Sequence, residues 1–489
     1  MGIVDSAAIP GRRTILAGYF SPIKNEALLN LCSEIRVNNS ISLSDYDRFG
    51  VKRGLRNADG TGVMAGLTNV CSVEGYYVDD GERVPKPGKL VFRGININEI
   101  VNGCRKDDRF GYEEVAWLLI FGYLPTKAQL EQFNLVLAEC RELPEDFIED
   151  MIMKAPSPNI MNKMARSVMA LYSFDETPDE LSTENVLRQC IQLMAQLPSI
   201  MSYAYQVKRR HYYKKSMYIH QPKPEFGTAQ NILRTLRSDR SFTDEEAKLL
   251  DLCLMLHAEH GGGNNSTFTT RVLTSAGTDT YSAIGAAIGA LKGPRHGGAN
   301  IKAREMARMM EEEVTDVNDE GQVADFLTRV IRREAGDRSG LIYGMGHAIY
   351  TISDPRALLL KQAAKSFCHT EEQIRRFRQL ELIETLTPQI FRREKGNTKA
   401  MCANVDLYSG LVYELLGISE DLFTPLFATA RVAGWAAHRL EELTTGSRII
   451  RPAYKNVSLP YDYIPLEERT IANTAHAGRY VPSEERMRK

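Results

Sequence analysis

From residue 111 to residue 443 this chain of 489 residues repeats apolar side chains at helical spacing, punctuated by helix stops and starts and not by strand alternation. Residues 111–120 and 127–142 carry that period, with Pro125-Thr126 between them as a stop and restart. Thr243-Asp-Glu-Glu246 reads as a capping box that opens a helix through Leu250, Leu254 and Leu256. It is expected to end at Gly261-Gly262-Gly263, with His257 and His260 in its last turn. Residues 281–291 hold Ala283, Gly285, Ala286, Ala287, Gly289 and Ala290, small enough on several sides for close helix packing. They predict a central, buried helix, and in a homo-oligomer a place for two subunits to meet. Residues 421–443 predict an amphipathic helix, and 444–489 an irregular tail. Residues 70–97 follow a different pattern, with short apolar runs interrupted by Asp79-Asp80-Gly81 and Pro85-Lys-Pro-Gly88, as in a small hairpin. The expected fold is all-α, with one minor N-terminal β-hairpin.

The length exceeds one compact core. A charge-rich stretch over 305–333, including Glu311-Glu-Glu313, suggests a smaller domain from 298 to 408. The larger domain would then comprise 61–297 and 409–489, and residues 1–60 an extension without an assignable motif. Hydrophobic residues make up 43% and charged residues 25%, so a sizeable core is available. Net charge is only -1, which removes the bulk electrostatic case for nucleic acid or an anionic membrane. A phosphate-bearing ligand would need a local basic pocket. No stretch approaches the roughly 20 apolar residues of a membrane helix, and the first 30 residues do not read as a secretion signal. Met1-Gly2 with Ser6 fits a myristoylation pattern, a match too short to carry weight. Eight scattered cysteines without a Cys-x-x-Cys pair read as reduced thiols, and the expected location is cytoplasmic.

Within this helical frame three histidines stand beside glycines: His257-Ala-Glu-His260-Gly-Gly-Gly-Asn264, Gly293-Pro-Arg-His296-Gly-Gly-Ala-Asn300 and Gly344-Met-Gly-His347. They are followed by Asn404-Val-Asp406 with Ser409-Gly410, and by Arg431 and Arg451. Glycine lets a backbone turn sharply and lets a ligand approach the main chain, so such histidines can converge on one pocket. One His-Gly alone is an ordinary turn; four stretches of this kind are a chemical inventory. Histidine donates hydrogen bonds, aspartate takes a proton, and arginine grips carboxylates through a planar fork. The set suits the addition of a carbon nucleophile to a polycarboxylate carbonyl compound.

In order and spacing these motifs, with Asp354-Pro-Arg356, Lys89-Leu-Val-Phe-Arg-Gly94 and Gly122-Tyr-Leu-Pro-Thr126, resemble those of the citrate synthase family, from about Gly66 to the last helices. The resemblance implies an acyltransferase that condenses acetyl-CoA, as co-substrate, with oxaloacetate and water to citrate and CoA. It implies that Asp406 abstracts the methyl proton, His296 hydrogen-bonds the thioester oxygen and His347 polarises the oxaloacetate carbonyl. His260, Arg356 and Arg431 would hold the carboxylates, and Arg451 would reach across a homodimer interface into the partner's site. The Gly344, Met345 and Gly346 backbone would lie near the adenine of CoA, and Lys399 near its phosphate. Thr351 stands where the family often carries a basic residue, so one phosphate contact is missing from the pattern. No permanently bound cofactor and no metal are expected, and neither nucleic acid nor membrane as a partner.

The proton transfer is severe. If the gap between a thioester methyl and an aspartic acid exceeds about ten pKa units, it costs more than roughly 14 kcal/mol. Hydrogen bonds aimed at the developing oxyanion in a dry site are the term large enough to offset it. Propionyl-CoA, giving 2-methylcitrate, is the alternative donor, because one methylene is worth only about 1–3 kcal/mol in an apolar pocket. More distant alternatives are a metal-dependent hydrolase using His257, His260, Glu259 and Asp406, and a non-catalytic paralogue. His257 is read as orienting or capping its helix, and His211, His220, His369, His438 and His476 as surface or packing residues.

Overall fold

The computed structural model describes residues 41–57, 60–79, 82–396, 400–446, 448–458 and 462–470. Two units make up the chain, one of residues 64–451 and one of 1–63 with 452–489. In the latter, helix α1 (Leu43–Arg48) is capped by Ser42, whose Oγ accepts the Ser44 N–H at 3.3 Å. The Lys455 ammonium lies 5.7 Å from the centre of the Phe49 ring, which joins the two chain segments of that unit.

The unit of residues 64–451 opens with a three-stranded antiparallel sheet, β1 (Cys71–Asp79), β2 (Glu82–Phe92) and β3 (Ile95–Asn96), in that order. Cys71 pairs with Phe92, and the register slips at Gly75. Two glycines decide what this sheet can touch. A Cβ on Gly75 would fall 2.5 Å from the Ile349 carbonyl oxygen, and one on Gly88 2.0 Å from that of Ser353. Their absence lets the 349–353 segment lie directly on the sheet, and the Gly88 N–H donates to Ser353 Oγ at 3.1 Å.

The remainder is helical: α2 (Ile97–Lys106), α3 (Tyr112–Phe121), α4 (Lys127–Glu139), α5 (Ile160–Leu171), α6 (Thr183–His211), α7 (Thr228–Leu236), α8 (Asp244–His257), α9 (Asn265–Ser275), α10 (Thr280–Lys292), α11 (Ala299–Glu313), α12 (Glu320–Ile331), α13 (Pro355–Phe367), α14 (Glu371–Lys395), α15 (Val405–Leu415) and α16 (Phe423–Thr445). The expected all-α fold with a small hairpin is what the chain forms. The capping boxes at Thr126 and Thr243 start α4 and α8 where the sequence placed them.

Three expectations need correction. Helix α8 stops at His257, with Ala258 as its C-cap, so His260 is not on the helix. The chain leaves the helix there to lay Glu259 and Ala258 against Gly434 of α16, where a Cβ would meet Glu259 Oε2 at 2.1 Å. Helix α16 is not amphipathic but buried on every side over residues 428–440, including Arg431, Trp435, His438 and Arg439. Its polar groups are absorbed internally; Arg439, for example, donates to Thr280 Oγ1, Thr274 Oγ1 and the Thr278 carbonyl. Helix α10 packs on α5 and α9, yet Gly289 is exposed with no atom within 4 Å of its Cβ position, so one side of it is open.

Among the described residues no helix is long and apolar enough to cross a membrane, and the seven described cysteines are free thiols. Cys32, the Met1-Gly2 match and His476 lie outside the described residues.

Candidate active site

Helix α16 supplies one wall of a polar pocket. Tyr112 at the start of α3 donates its hydroxyl to the Thr429 and Ala430 carbonyls, at 3.2 Å each, which fixes the turn just before Arg431. Arg431 is wholly buried and donates Nε to the His257 carbonyl at 2.6 Å, with its guanidinium carbon 4.7 Å from the centre of the Phe427 ring. Its Nη1 and Nη2 are buried without a partner. Burial pushes this guanidinium down to about 10, still cationic at neutral pH.

Opposite lies the 344–356 segment. Gly344 and Gly346 take positive φ (82° and 88°), and a Cβ on Gly344 would stand 2.9 Å from the Leu407 backbone. That closeness lets Gly346 N–H donate to the Cys402 carbonyl (2.8 Å) and Asn404 N–H to that of Gly344 (2.9 Å). The His347 turn and the Asp406 turn are thereby laced together. His347 Nδ1 accepts the backbone N–H groups of Ile349 and Tyr350, both at 3.1 Å, so its proton sits on Nε2. The ring stacks on Tyr350 (centroids 4.6 Å apart) and meets His260 edge-on at 5.1 Å.

Arg356 is buried at the start of α13 and held by its own N-cap residue. Asp354 Oδ1 accepts the Arg356 N–H and Nε–H, both at 3.0 Å, and Oδ2 accepts Nη2–H at 2.7 Å. His260 Nε2 is buried without a partner. Burial first, then Arg356, His347 and Arg431, hold the His260 ring well below the usual imidazole range, so it is neutral.

The two remaining groups come from turns. Asn404 caps α15 and accepts the Asp406 N–H at 2.9 Å, which sets Asp406 in the first turn. Burial pushes its carboxyl up to about 6, Arg356 opposing and Asp354 adding to the rise. His296 sits in a tight turn where a Cβ on Gly297 would lie 2.2 Å from the Leu291 carbonyl oxygen. Burial, then Arg431, push His296 down to about 4. Its Nε2 lies 3.1 Å from Ser266 Oγ, which also accepts Trp435 Nε1–H (3.1 Å) and has Asn264 Oδ1 at 2.9 Å.

His260, His347, Arg356 and Arg431 thus come together, with Asp406 beside Arg356 and His296 within the field of Arg431. Arg451 does not join them. It is exposed and makes no hydrogen bond or ion pair among the described residues, although Ile450 next to it donates N–H to Ser275 Oγ at 3.0 Å. Lys399 lies outside the described residues.

The model of the citrate synthase C-terminal domain matches residues 58–453. The chain belongs to the citrate synthase family. A citrate synthase from Synechocystis is 33% identical over 84% of this chain and 93% of its own length. The 2-methylcitrate synthase 1 of Corynebacterium glutamicum is 32% identical over 83% of this chain and 99% of its own. The crystal structure of the Pyrobaculum aerophilum citrate synthase superposes with a TM-score of 0.68 at 28% identity, covering 85% of this chain and 95% of that one.

The metal-hydrolase alternative does not fit this member of the citrate synthase family. Glu259 faces His438 and His257 packs against Phe427 at 4.4 Å. Among the described residues no group of three or more His, Cys, Asp or Glu could hold a metal ion. Sequence reading missed Ser266, Trp435 and His438. One signal was available: Arg431, Trp435 and His438 fall on one face of a helix, four and seven positions apart.

Proposed function

We propose that this chain condenses acetyl-CoA with oxaloacetate and water, releasing citrate, CoA and a proton. One observation carries the reading: Arg431 presents two buried, unpartnered nitrogens beside a second buried arginine and two histidines. A buried cation left open in this way calls for an anion, and a dicarboxylate spanning Arg356, Arg431 and His260 supplies it.

Asp406 would take a methyl proton from the thioester, its elevated carboxyl being ionised yet basic at neutral pH. His296, neutral, would hydrogen-bond the thioester oxygen as enolate character develops. The enol carbon would attack the oxaloacetate carbonyl as His347 Nε2–H donates to its oxygen, and water would then cleave the citryl thioester. The Gly344, Met345 and Gly346 backbone would border the adenine of CoA, and Lys399 would meet its phosphate. Thr351, half-buried, brings no charge to that end.

The assembly we propose is a homodimer in which Arg451 completes the partner's site; its exposure beyond the end of α16 supports that role. Residues 298–408 would close as a small domain over 61–297 with 409–489. The scattered thiols fit a reducing compartment, the cytoplasm. A 2-methylcitrate synthase at nearly the same identity keeps propionyl-CoA as the second reading.

Side-by-side kcat/KM values for acetyl-CoA and propionyl-CoA with oxaloacetate test the donor, and no turnover of either would refute the function. Mixing inactive Asp406→Asn with inactive Arg451→Ala chains tests the dimer. Random pairing makes about half the dimers mixed with one intact site each, so roughly a quarter of wild-type sites should return.

A further inference from the structure

His438 lies two turns beyond Arg431 on the same face of α16 and is completely buried. At hydrogen-bonding distance its Nδ1 meets Arg271 alone, at 2.7 Å from Nη2 and 3.1 Å from Nε. A guanidinium has only donors, so Nδ1 must be the bare nitrogen and the ring proton sits on Nε2. That Nε2–H faces Glu259 Oε1 at 3.1 Å. The same oxygen accepts the Gly261 N–H at 2.5 Å, so the Glu259 carboxylate folds back over the turn that carries His260. Arg271 is itself held by Glu442 Oε2 at 2.7 Å and by Glu441. The missing side chain of Gly434 provides the room in which Glu259 lies on α16, and a Cβ on Gly262 would stand 3.4 Å from His438 Cε1.

We propose that His438 is a positioning residue for oxaloacetate: with its tautomer set by Arg271, it donates to Glu259, and Glu259 holds the Glu259–Gly261 turn so that His260 is aimed at the ligand. Without that donor the buried Glu259 carboxylate loses a hydrogen bond that keeps it ionised and in place, and the Gly261 N–H loses a fixed acceptor. A misplacement of about 1 Å in a binding group is enough to cost on the order of 10²-fold. The proposal rests on the assignment of His260 to oxaloacetate made above.

Two amides separate the two contacts of the ring. In His438→Gln the amide nitrogen reaches the place of Nε2 and still donates to Glu259. In His438→Asn the shorter amide ends near Nδ1 and meets Arg271 only. The measurements are kcat and KM for oxaloacetate and acetyl-CoA, together with oxaloacetate Kd by calorimetry. His438→Asn should raise KM and Kd for oxaloacetate about tenfold or more, with kcat and the acetyl-CoA KM within roughly threefold of wild type; His438→Gln should restore both oxaloacetate constants to within roughly threefold.

Equal oxaloacetate constants in the two variants would overturn the proposal, as would a loss confined to kcat. A purely structural role would lower Tm and the fraction of active sites while leaving KM unchanged, and that result also overturns it. An inactive wild type would sink the functional reading itself, whereas an active wild type with indistinguishable variants would sink only the role of His438.

Discussion

Two buried carboxylates border this pocket, and their surroundings push them in opposite directions. Glu259, in the turn after α8, is driven up by burial, but His438, Arg431 and the local backbone outweigh that and hold it below its ordinary value. Asp406, at the start of α15, receives no comparable donor; burial dominates and carries it to about 6. The hydrogen bonds decide which acid is structural and which can act as a base. The arginines repeat the contrast, since Asp354 occupies Arg356 whereas Arg431 keeps Nη1 and Nη2 open.

The sharpest way to break the comparison is to neutralise each acid in turn. Asp406→Asn should lower kcat by about 10³-fold or more while oxaloacetate still binds, because proton acceptance goes and the arginines stay. Glu259→Gln, which keeps an acceptor for Gly261, should cost less than about tenfold in kcat. Similar losses in both would mean that the base is not Asp406 alone.

The arginine pair should divide affinity from stability. Arg431→Ala should raise the oxaloacetate KM by about 10²-fold with a modest effect on folding, since few partners are orphaned. Arg356→Ala leaves Asp354 buried and unpaired, so it should also lower stability by about 3 kcal/mol or more, read by chemical denaturation. Equal stabilities would contradict that asymmetry.

The pH profile offers a smaller handle. With the base titrating near 6, kcat/KM should fall about tenfold per unit as pH drops below 6. His296, already neutral above about 4, adds no inflection in that range. A profile flat down to pH 5 would refute the elevated Asp406.

The smallest expected effect is on stability. A carboxyl whose folded value exceeds its unfolded one of about 3.9 binds its proton more tightly when folded. Its ionised form therefore costs stability above pH 6, and the cost disappears below about pH 4. Asp406→Asn should raise Tm at pH 7.5 by a few degrees, a gain of about 1–3 kcal/mol, and the gain should vanish near pH 4. An unchanged Tm at pH 7.5 would mean that the ionised Asp406 is not under strain.

Helical periodicity, capping boxes and glycine-flanked histidines were legible because each is local. A capping box needs only Thr243 and Glu246, and the Asn404-Val-Asp406 motif carries its own cap. The end of α8 was misjudged because the stop is set by a long-range contact, Glu259 against Gly434, and not by the three glycines. For α16 the error had the same origin: Arg431, His438 and Arg439 look like a solvent face until their partners on other elements are known.

By itself, then, the sequence determined the helical architecture and the chemical inventory, because periodicity and motif are written in neighbouring residues. The tertiary structure decided which acid is paired, which arginine is open and which nitrogen of His347 or His438 carries the proton. Those states depend on burial and on donors contributed from distant parts of the chain, and residue order alone does not encode them.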